Sequence, residues 1–290
     1  MIENLPNLIA EASRRWGLSN IEPVPNLSFN FVAFAKRTDE QVMLKIGVSN
    51  RELTSELAAL NFFDGVGACR LLESDEARGF LLLERLSPGS MLSELQDDDE
   101  RTHIAAEVMQ KLWREPPADE HSPSSIPSSF IRLSDWFDGL KKIRPHFGGE
   151  TGPFPKELLE RVESFLPELF ADTNVKLMHG DFHHFNVLLS DRGWLAIDPK
   201  GVIGPVGYEV GPLMTNPWSS ISDARQFKLQ TERRVSILTE RLGWGREKII
   251  NWATAHAVLS SWWSMEDAES EADTSWQYAM WCAQILSEIK

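Results

Sequence analysis

The segment VKLMHGDFHHFNVLLSDRGWLAID, residues 175 to 198, limits what this chain can fold into more than any other part of it. An apolar run from Val175 to Met178 leads into a polar loop, and two further short apolar runs then flank Asp191-Arg192-Gly193. Short apolar runs on either side of a turn that contains Gly predict a β-hairpin. We therefore expect the polar loop to be fixed between buried strands, so that its side chains have defined positions.

Three side chains of this segment have the spacing of a phosphate-transfer site. Asp181 and Asn186 lie five positions apart, as do the catalytic Asp and the metal-binding Asn of the kinase pattern H-R-D-L-x-x-x-N, and His179 takes the first position. If the two strands pair, Asn186 and Asp198 meet at the open end of the hairpin. Because Mg²⁺ binds carboxylate and amide oxygens, the segment predicts Asn186 and Asp198 as metal ligands. Asp181 is then the base that accepts a hydroxyl proton.

Two other interpretations of these residues remain open. Asp, Asn and Gly also form turns between buried strands without any chemistry. Alternatively, a transition metal would be bound by His179, Asp181, His183 and His184, since imidazole and carboxylate suit zinc, iron or manganese. Gly180 and the apolar run before it favour a loop over a helix, and in a loop histidines four positions apart do not share a face. The kinase-like interpretation accounts for more of the residues.

An upstream strand is predicted to hold the nucleotide. Val42-Met43-Leu44-Lys45 is an apolar run that ends in Lys, similar to V-A-I-K, whose Lys meets the α- and β-phosphates and a helix Glu. Glu56 lies eleven residues further on, in a predicted helix, and is the expected partner of Lys45. Glu52, one turn earlier, is a competitor for this role.

The turn that covers the phosphates has a weaker signal. Kinase-like sites use a Gly-rich loop for this purpose, but no G-x-G-x-x-G precedes Lys45. We expect the turn at residues 27 to 30 to take its place. Its backbone amides and the small polar side chains of Ser28 and Asn30 would then contact the phosphates.

Along the first 85 residues, apolar residues alternate between helical and strand-like spacing. In the rest of the chain their spacing is mainly helical. The predicted elements are a helix over 3–17, a hairpin of Leu27–Lys36 with Gln41–Ile46, a helix over 50–63, and strands at 70–72 and 79–83. The run ERLSPGS marks the expected boundary, and the Pro- and Ser-rich residues 114 to 130 predict an exposed loop. The predicted fold class is α+β, with a small N-terminal β-sheet lobe that has one main helix and a larger, mostly helical lobe.

Charge limits the partners that this chain can have. With 43 acidic and 29 basic residues, the formal net charge is -14, which would repel a nucleic-acid backbone and favours a cation as substrate. The first residues lack a basic stretch followed by an apolar core, no later run approaches about 18 apolar residues, and Cys69 and Cys282 are too few for a disulfide framework. These features predict a cytoplasmic protein with a small-molecule substrate. No nucleic-acid, membrane or protein partner is inferred.

Seven phrases of the sequence together resemble the aminoglycoside phosphotransferase family, most closely its streptomycin 6-phosphotransferase and hydroxyurea-kinase branch. In chain order they are LSFNFVAFA, VMLKIG, FLLLERLSPGSML, HGDFHHFNVL, IDPKGVIG, YEVGPLMTNP and AVLSSWWSMEDA. The resemblance spans nearly the whole chain. It implies a bilobal protein-kinase-like fold, with a nucleotide-binding lobe over 1–85 and a catalytic and substrate-binding lobe over 86–290.

The resemblance also implies which cofactors bind, and the chain departs from the family pattern at one position. ATP with Mg²⁺ would bind in the cleft, with the adenine against the hinge at Glu84 and Leu86 and with Asp181 as the base. Relatives often have an acidic residue in place of Pro205, so the resemblance does not carry a role of that acid in the substrate pocket over to this chain.

The acceptor is predicted to lie against an aromatic and acidic wall made by Trp262, Trp263, Glu266 and Asp267, which suits a polar cation. The same residues also fit a packed helix face that ends in a solvated acidic segment. Glu209 is a further predicted substrate residue. A streptomycin-type aminoglycoside is the expected acceptor. Hydroxyurea or another small metabolite is the alternative, and a non-catalytic nucleotide-binding scaffold is the third interpretation.

Overall fold

The computed structural model describes residues 4–25, 30–118, 127–217, 223–268 and 273–289. Its N-terminal part contains five strands, β1 (Leu18–Pro23), β2 (Phe31–Arg37), β3 (Glu40–Ile46), β4 (Leu71–Asp75) and β5 (Phe80–Glu84). They form one antiparallel sheet in the order β1-β2-β3-β5-β4. The hairpin of β2 with β3 and the strands β4 and β5 are confirmed, with small differences at their described ends, and residues 27–29 of the predicted first hairpin strand lie outside the described ones. Strand β1 was not predicted.

One face of this sheet is covered by helix α1 (Leu5–Trp16). Alternate residues of β2 and β3 point to that face and are buried there with Ala12 and Trp16 of the helix. Trp16 meets Phe80 of β5 edge to face, with the ring centroids 6.2 Å apart. The helix ends at Gly17, whose φ of 64° is left-handed, as its position after the last apolar residue predicted.

A second helix, α2 (Arg51–Phe63), connects β3 to β4. Asn50 caps it by accepting a hydrogen bond from the backbone N–H of Leu53 at 2.9 Å. The helix buries leucines at a spacing of three and four, which pack with Leu81 of β5 in one cluster; they are Leu53, Leu57 and Leu60. The helix predicted over 50–63 is thus confirmed.

Two small three-stranded sheets follow. They are built from β6 (Pro88–Met91), β7 (Ile131–Arg132), β8 (Val175–Met178), β9 (Val187–Ser190), β10 (Gly193–Ala196) and β11 (Val202–Pro205). One sheet has the order β10-β9-β6 and the other the order β7-β11-β8. Of the predicted loop at 114–130, residues 119–126 lie outside the described ones, and Arg114 forms an antiparallel bridge with Leu177 of β8.

The rest of the described chain is mainly helical. The helices are α3 (Asp98–Leu112), α4 (Leu133–Phe137), α5 (Ile143–His146), α6 (Lys156–Phe170), α7 (Val210–Met214), α8 (Ala224–Leu242), α9 (Arg246–Glu266) and α10 (Trp276–Leu286). Their buried faces form the largest hydrophobic core, in which α9 is central and buries Trp252 and Trp262. Within the described ranges, every helix is too short or too polar to cross a membrane.

Candidate active site

The hairpin of β9 and β10 brings two predicted metal ligands to one end. The strands pair with Ala196 opposite Val187 and Leu195 opposite Leu188, so the predicted hairpin is confirmed. Beyond the last pair, the backbone N–H of Ile197 donates to the carbonyl of Asn186 at 2.9 Å. Asn186 and Asp198 therefore lie next to each other at the open end of the hairpin.

The loop between β8 and β9 is braced by His179, which is buried. Burial lowers its pKa to about 4, so the ring is neutral. Its Nε2 lies 2.8 Å from the carbonyl oxygen of Ile197 and donates to it, which leaves Nδ1 to accept the backbone N–H of Asp181 at 3.2 Å. One ring thus joins the backbone of the predicted base to the residue before Asp198.

Gly180 allows the sharp turn that precedes Asp181. Its φ is +87°, and a Cβ at this position would lie 2.4 Å from Cγ2 of Val202. After the turn, Asn186 Nδ2 donates to the carbonyl of Asp181 at 3.0 Å, which leaves Oδ1 of Asn186 out of that bond. The Asp181 side chain is 38% exposed, with Oδ1 3.7 Å from Nε2 of His183.

Glu209 lies beneath this loop and does not face the cleft. It is fully buried, and its two carboxylate oxygens accept the backbone N–H groups of His179 at 2.7 Å and Gly180 at 2.9 Å. Burial raises its pKa to about 7, against the effect of these hydrogen bonds. The structure therefore gives this predicted substrate residue a different position, as a support for the turn before Asp181.

Lys45, Glu56 and Asp198 form one ion-pair cluster at the meeting point of the sheet, α2 and the hairpin. Lys45 Nζ lies 2.6 and 2.7 Å from the two carboxylate oxygens of Glu56 and also contacts Asp198. Burial alone would lower the pKa of Lys45, but the two carboxylates outweigh it and raise that pKa. Glu52, the competitor, is exposed, so Glu56 is the partner.

Asp198 has a left-handed backbone, with a φ of 59°. Few residues other than Gly adopt this conformation, although Asn and Asp do so more often than most, and left-handed non-Gly residues are concentrated at functional sites. Lys200 Nζ lies 4.0 Å from Oδ2 of Asp198. Although burial opposes ionisation, Lys45 and Lys200 hold the pKa of Asp198 well below its usual range, so the group is a carboxylate.

The predicted hinge residues lie at the end of β5. The carboxylate of Glu84 is held by Arg192 of the hairpin turn, with Nε and Nη2 at 3.2 and 2.5 Å, and by the backbone N–H of Arg70 at 2.9 Å. Leu86 is buried in the same cluster as the leucines of α2. Half-buried Leu83, Leu188 and Ile197 border this cluster and leave apolar surface between the sheet and the hairpin.

Of the two residues predicted to cover the phosphates, the structure describes only one. Ser28 lies outside the described residues. Asn30 stands just before β2, and a Cβ built on Gly47 would lie 2.9 Å from its Oδ1. Its side chain is therefore packed at the end of β3, two residues beyond Lys45.

An aromatic wall extends from Tyr208 to Trp263. Tyr208 and His256 form its inner end and are both buried. Tyr208 Oη is 3.0 Å from Nδ1 of His256, and Trp136 contacts the Tyr208 ring at a centroid distance of 6.0 Å. Trp136 then meets Trp263 edge to face at 5.2 Å. Trp263 is thus two ring contacts from Tyr208.

The acidic residues of this wall are less enclosed. Glu266, in the last turn of α9, pairs with Lys142 Nζ at 3.0 Å, and Asp267 follows the helix and is exposed. Trp136, Tyr208 and His256 were not predicted as site residues from the sequence. The separation of His256 from Trp263 by seven positions, two turns of one helix face, is a signal for His256 alone.

The histidines do not form a transition-metal site. His184 is completely buried, and His179 is occupied by backbone partners on both nitrogens. Across the described residues, no group of three or more His, Cys, Asp or Glu side chains is arranged to hold a metal ion. The alternative metal-cluster interpretation is wrong for this part of the chain.

Comparisons with known proteins agree with this geometry. A model of the aminoglycoside/hydroxyurea antibiotic resistance kinase family matches residues 15–268. A streptomycin 6-kinase from Streptomyces glaucescens is 28% identical over 288 residues, which cover 98% of this chain and 90% of that kinase. A hydroxyurea phosphotransferase from Kitasatospora aureofaciens is 32% identical over 273 residues, which cover 92% of this chain and 75% of the phosphotransferase.

A solved structure is similar in fold. It is an aminoglycoside phosphotransferase in ternary complex with ADP and hygromycin B, with a TM-score of 0.64 and 13% identity over 96% of each chain. At this identity the likeness concerns the fold alone. It confirms the predicted kinase-like fold class.

Proposed function

The chain belongs to the aminoglycoside/hydroxyurea antibiotic resistance kinase family, and from this premise we propose that it transfers the γ-phosphoryl group of ATP to a hydroxyl group of a small molecule in a Mg²⁺-dependent reaction. The observation that carries the proposal is the buried cluster of Lys45, Glu56 and Asp198 beside the loop of Asp181. The bound ADP in the structurally similar phosphotransferase supports ATP as the donor.

The donor atoms at the end of the hairpin fit Mg²⁺. Asn186 offers an amide oxygen and Asp198 a carboxylate, and hard oxygen ligands from one or two side chains are what Mg²⁺ usually takes beside phosphates. When bound, Mg²⁺ neutralises part of the charge on the phosphate oxygens. The Asn186 Nδ2 bond to the Asp181 carbonyl fixes the amide so that its oxygen remains for the metal.

The proposed roles of the protein groups follow from their charges. Lys45 binds phosphate oxygens, and Glu56 holds its ammonium group in place. Asp181 orients the acceptor hydroxyl and takes its proton while the acceptor oxygen forms a bond to the γ-phosphorus. The bond from that phosphorus to the β–γ bridging oxygen breaks, and its electron pair leaves with ADP. The products are a phosphorylated acceptor and ADP, and the proton passes through Asp181 to solvent.

The adenine is proposed to bind in the apolar gap beside the hinge. Leu86 and the half-buried Leu83, Leu188 and Ile197 supply its walls. In this proposal residues 1–85 bind the nucleotide and residues 86–290 provide catalysis and the acceptor site. The cytoplasm, where ATP is available, is the proposed location.

The first candidate acceptor is a streptomycin-type aminoglycoside, phosphorylated as by a 6-phosphotransferase. The name of the Streptomyces glaucescens relative and the aromatic wall with Glu266 and Asp267 support it, because aromatic faces attract cations. Hydroxyurea is the second candidate. The ion pair of Glu266 with Lys142 cancels one of the negative charges, which favours a less charged acceptor.

The test is a phosphate-transfer screen with the purified full chain and Mg·ATP. Acceptors are streptomycin, other aminoglycosides, hydroxyurea and simple amino alcohols, and ADP release is measured with and without each acceptor. NMR of the product then identifies the phosphorylated oxygen. Streptomycin-dependent ADP release with a phosphorylated product is the expected result.

Two outcomes would count against the proposal at different levels. Transfer to hydroxyurea but not to streptomycin would replace the first candidate by the second. Binding of Mg·ATP without transfer to any acceptor would favour the non-catalytic scaffold.

A further inference from the structure

Helix α2 packs against the large helical core as well as against the sheet. Its leucines lie in the cluster with Leu81 of β5, but a second stripe, Ser55, Ala59 and Phe63, is also buried. Ala59 and Phe63 belong to the core formed by the helices that follow residue 98. Residues four positions apart share a helix face, so this stripe is one continuous surface.

The Ser55 hydroxyl makes the polar contact of this surface. Ser55 is completely buried, and its Oγ donates to the carbonyl of Gly201 at 2.8 Å and accepts the backbone N–H of Ile131 at 3.2 Å. Gly201 lies directly before β11, and Ile131 is in β7, which pairs with β11. One side chain of α2 thus joins two neighbouring segments of the small sheet that contains β8.

The two backbones approach closely at this point. Gly201 has a φ of +65°, and a Cβ there would lie 2.5 Å from the carbonyl oxygen of Ser55 and 3.0 Å from the Cβ of Ala59. Any larger residue would push α2 away. Gly201 is the third residue after Asp198, so the contact is next to a proposed metal ligand.

The position of Ser55 has a direct consequence for Glu56. The two residues are adjacent in α2, and Glu56 places its carboxylate on Lys45, which in turn contacts Asp198. A shift of α2 would separate Glu56 from Lys45. A second link, Arg51 to Asp135 at 3.0 Å, is 59% and 41% exposed and adds little, because solvent screens exposed pairs.

We propose that Ser55 is a positioning residue for phosphoryl transfer, which fixes α2 to the segment after Asp198 so that the Lys45–Glu56 pair is assembled before nucleotide binds. The inference rests on the proposed function for its kinetic meaning. Its structural claim is that helix α2 does not have to move for activity. Ser55 acts through Glu56 and does not itself contact the nucleotide.

A double-mutant cycle tests the action through Glu56. Ser55→Ala should lower kcat/KM for Mg·ATP about tenfold, since a buried hydrogen bond and the placement of a charge are lost. Thr54→Ala removes a half-buried hydroxyl of the same helix that bonds Asn50 and Glu76 rather than β7 or β11, so it should stay within about twofold of the parent. In a Glu56→Gln background, Ser55→Ala should cost less than about twofold, because residues that act as a unit are non-additive. An equal loss in both backgrounds would overturn the proposal.

A second measurement does not depend on turnover. Amide hydrogen exchange over residues 51–63 of the nucleotide-free protein should speed up about tenfold or more in Ser55→Ala and not in Thr54→Ala. Unchanged exchange in Ser55→Ala would refute the anchoring of α2, even if the protein is a kinase. Faster exchange in a protein without kinase activity would leave the anchoring intact and refute only the proposed function. If Ser55→Ala does not fold, Ser55→Cys, of similar volume and weaker hydrogen bonding, should give a smaller change of the same sign.

Discussion

On the proposed nucleotide side of the site, Lys45 and Glu56 are buried and joined to each other and to Asp198, whereas on the proposed acceptor side Glu266 is held by an exposed pair with Lys142 and Asp267 is exposed. The first set is fixed by α2, by the hairpin and by the His179 brace. The second set lies at the end of α9, where both carboxylates face solvent. The same protein therefore combines a tightly determined site with a loosely determined one.

The difference has a physical reason. A buried charge is stable only with a partner at hydrogen-bond distance, so each member of the buried cluster restricts the others. An exposed charge is solvated by water and gains little from one geometry. The acceptor side can consequently change its residues at small cost in stability, which fits a family description that names both aminoglycosides and hydroxyurea.

The largest effect is expected from the base. Asp181→Asn should lower kcat at least about 100-fold with little change in nucleotide affinity, because general-base catalysis is typically worth that much. Nucleotide affinity is measured by titration with ADP and Mg²⁺. Asp191→Asn, in the exposed hairpin turn, is the matched control and should behave like the parent. Turnover retained in Asp181→Asn would show that the tightly determined side does not contain the base.

A smaller effect is expected from the metal ligand. Asp198→Ala should weaken binding of Mg·ATP roughly tenfold to 100-fold, while binding of metal-free ATP changes much less, since only the carboxylate that meets the metal is removed. Calorimetric titrations with Mg²⁺ and with a chelator separate the two. Equal weakening under both conditions would mean that Asp198 acts on Lys45 and not on a metal.

The two sides also differ in how far they could be predicted from sequence. The hairpin that presents Asn186 and Asp198 and the pair of Lys45 with Glu56 follow from local spacing, because strands, turns and one helical stripe fix them. The contacts of Ser55 with Gly201 and of Glu266 with Lys142 span 146 and 124 residues. No local pattern encodes such contacts, since they depend on how finished elements pack.

Glu209 illustrates the same limit. It was predicted as a substrate residue, yet it is buried and accepts two backbone N–H groups. Whether an acid faces the cleft or supports a loop depends on the packing of α7 and α9 around it. Strand β1 was not predicted for a similar reason. Its strand conformation depends on pairing with β2 more than on an alternation of apolar and polar residues in its own sequence.

Glu209 also allows a test of the support beneath the base. Its pKa is raised from 4.5 to about 7 in the folded protein by burial, so folding takes up a proton between these pH values. The stability from this group is complete below its ordinary pKa and is lost as the pH rises through about 7. Glu209→Gln cannot titrate and should remove this part of the pH dependence. It should also lower stability by about 1–3 kcal/mol, because one backbone N–H loses its acceptor.

Urea unfolding at about pH 5 and about pH 8 measures the difference in stability between parent and Glu209→Gln. The difference should be larger at the lower pH and shrink at the higher one. A difference that grows with pH would mean that the carboxylate form is favoured in the folded protein. The turn before Asp181 would then be supported by a charge and not by a neutral acid.

The smallest effects are expected on the acceptor side, and they decide whether its charges act on the substrate at all. Glu266→Gln and Asp267→Asn each remove one charge with little change of shape, so KM for streptomycin should rise about two- to threefold at low salt, with unchanged KM for ATP and no effect on neutral hydroxyurea. High salt should erase the difference, because it shortens the screening length to about 3 Å at 1 M.

Lys142→Gln gives the opposite test: it frees the Glu266 carboxylate from its partner, so KM for the cation should fall. A common direction of change in all three variants would point to altered packing at the end of α9. If all three match the parent at both salt concentrations, the acidic segment is only a solvated face, and the wall that meets the acceptor is the uncharged one of the half-buried Trp136 and Trp263.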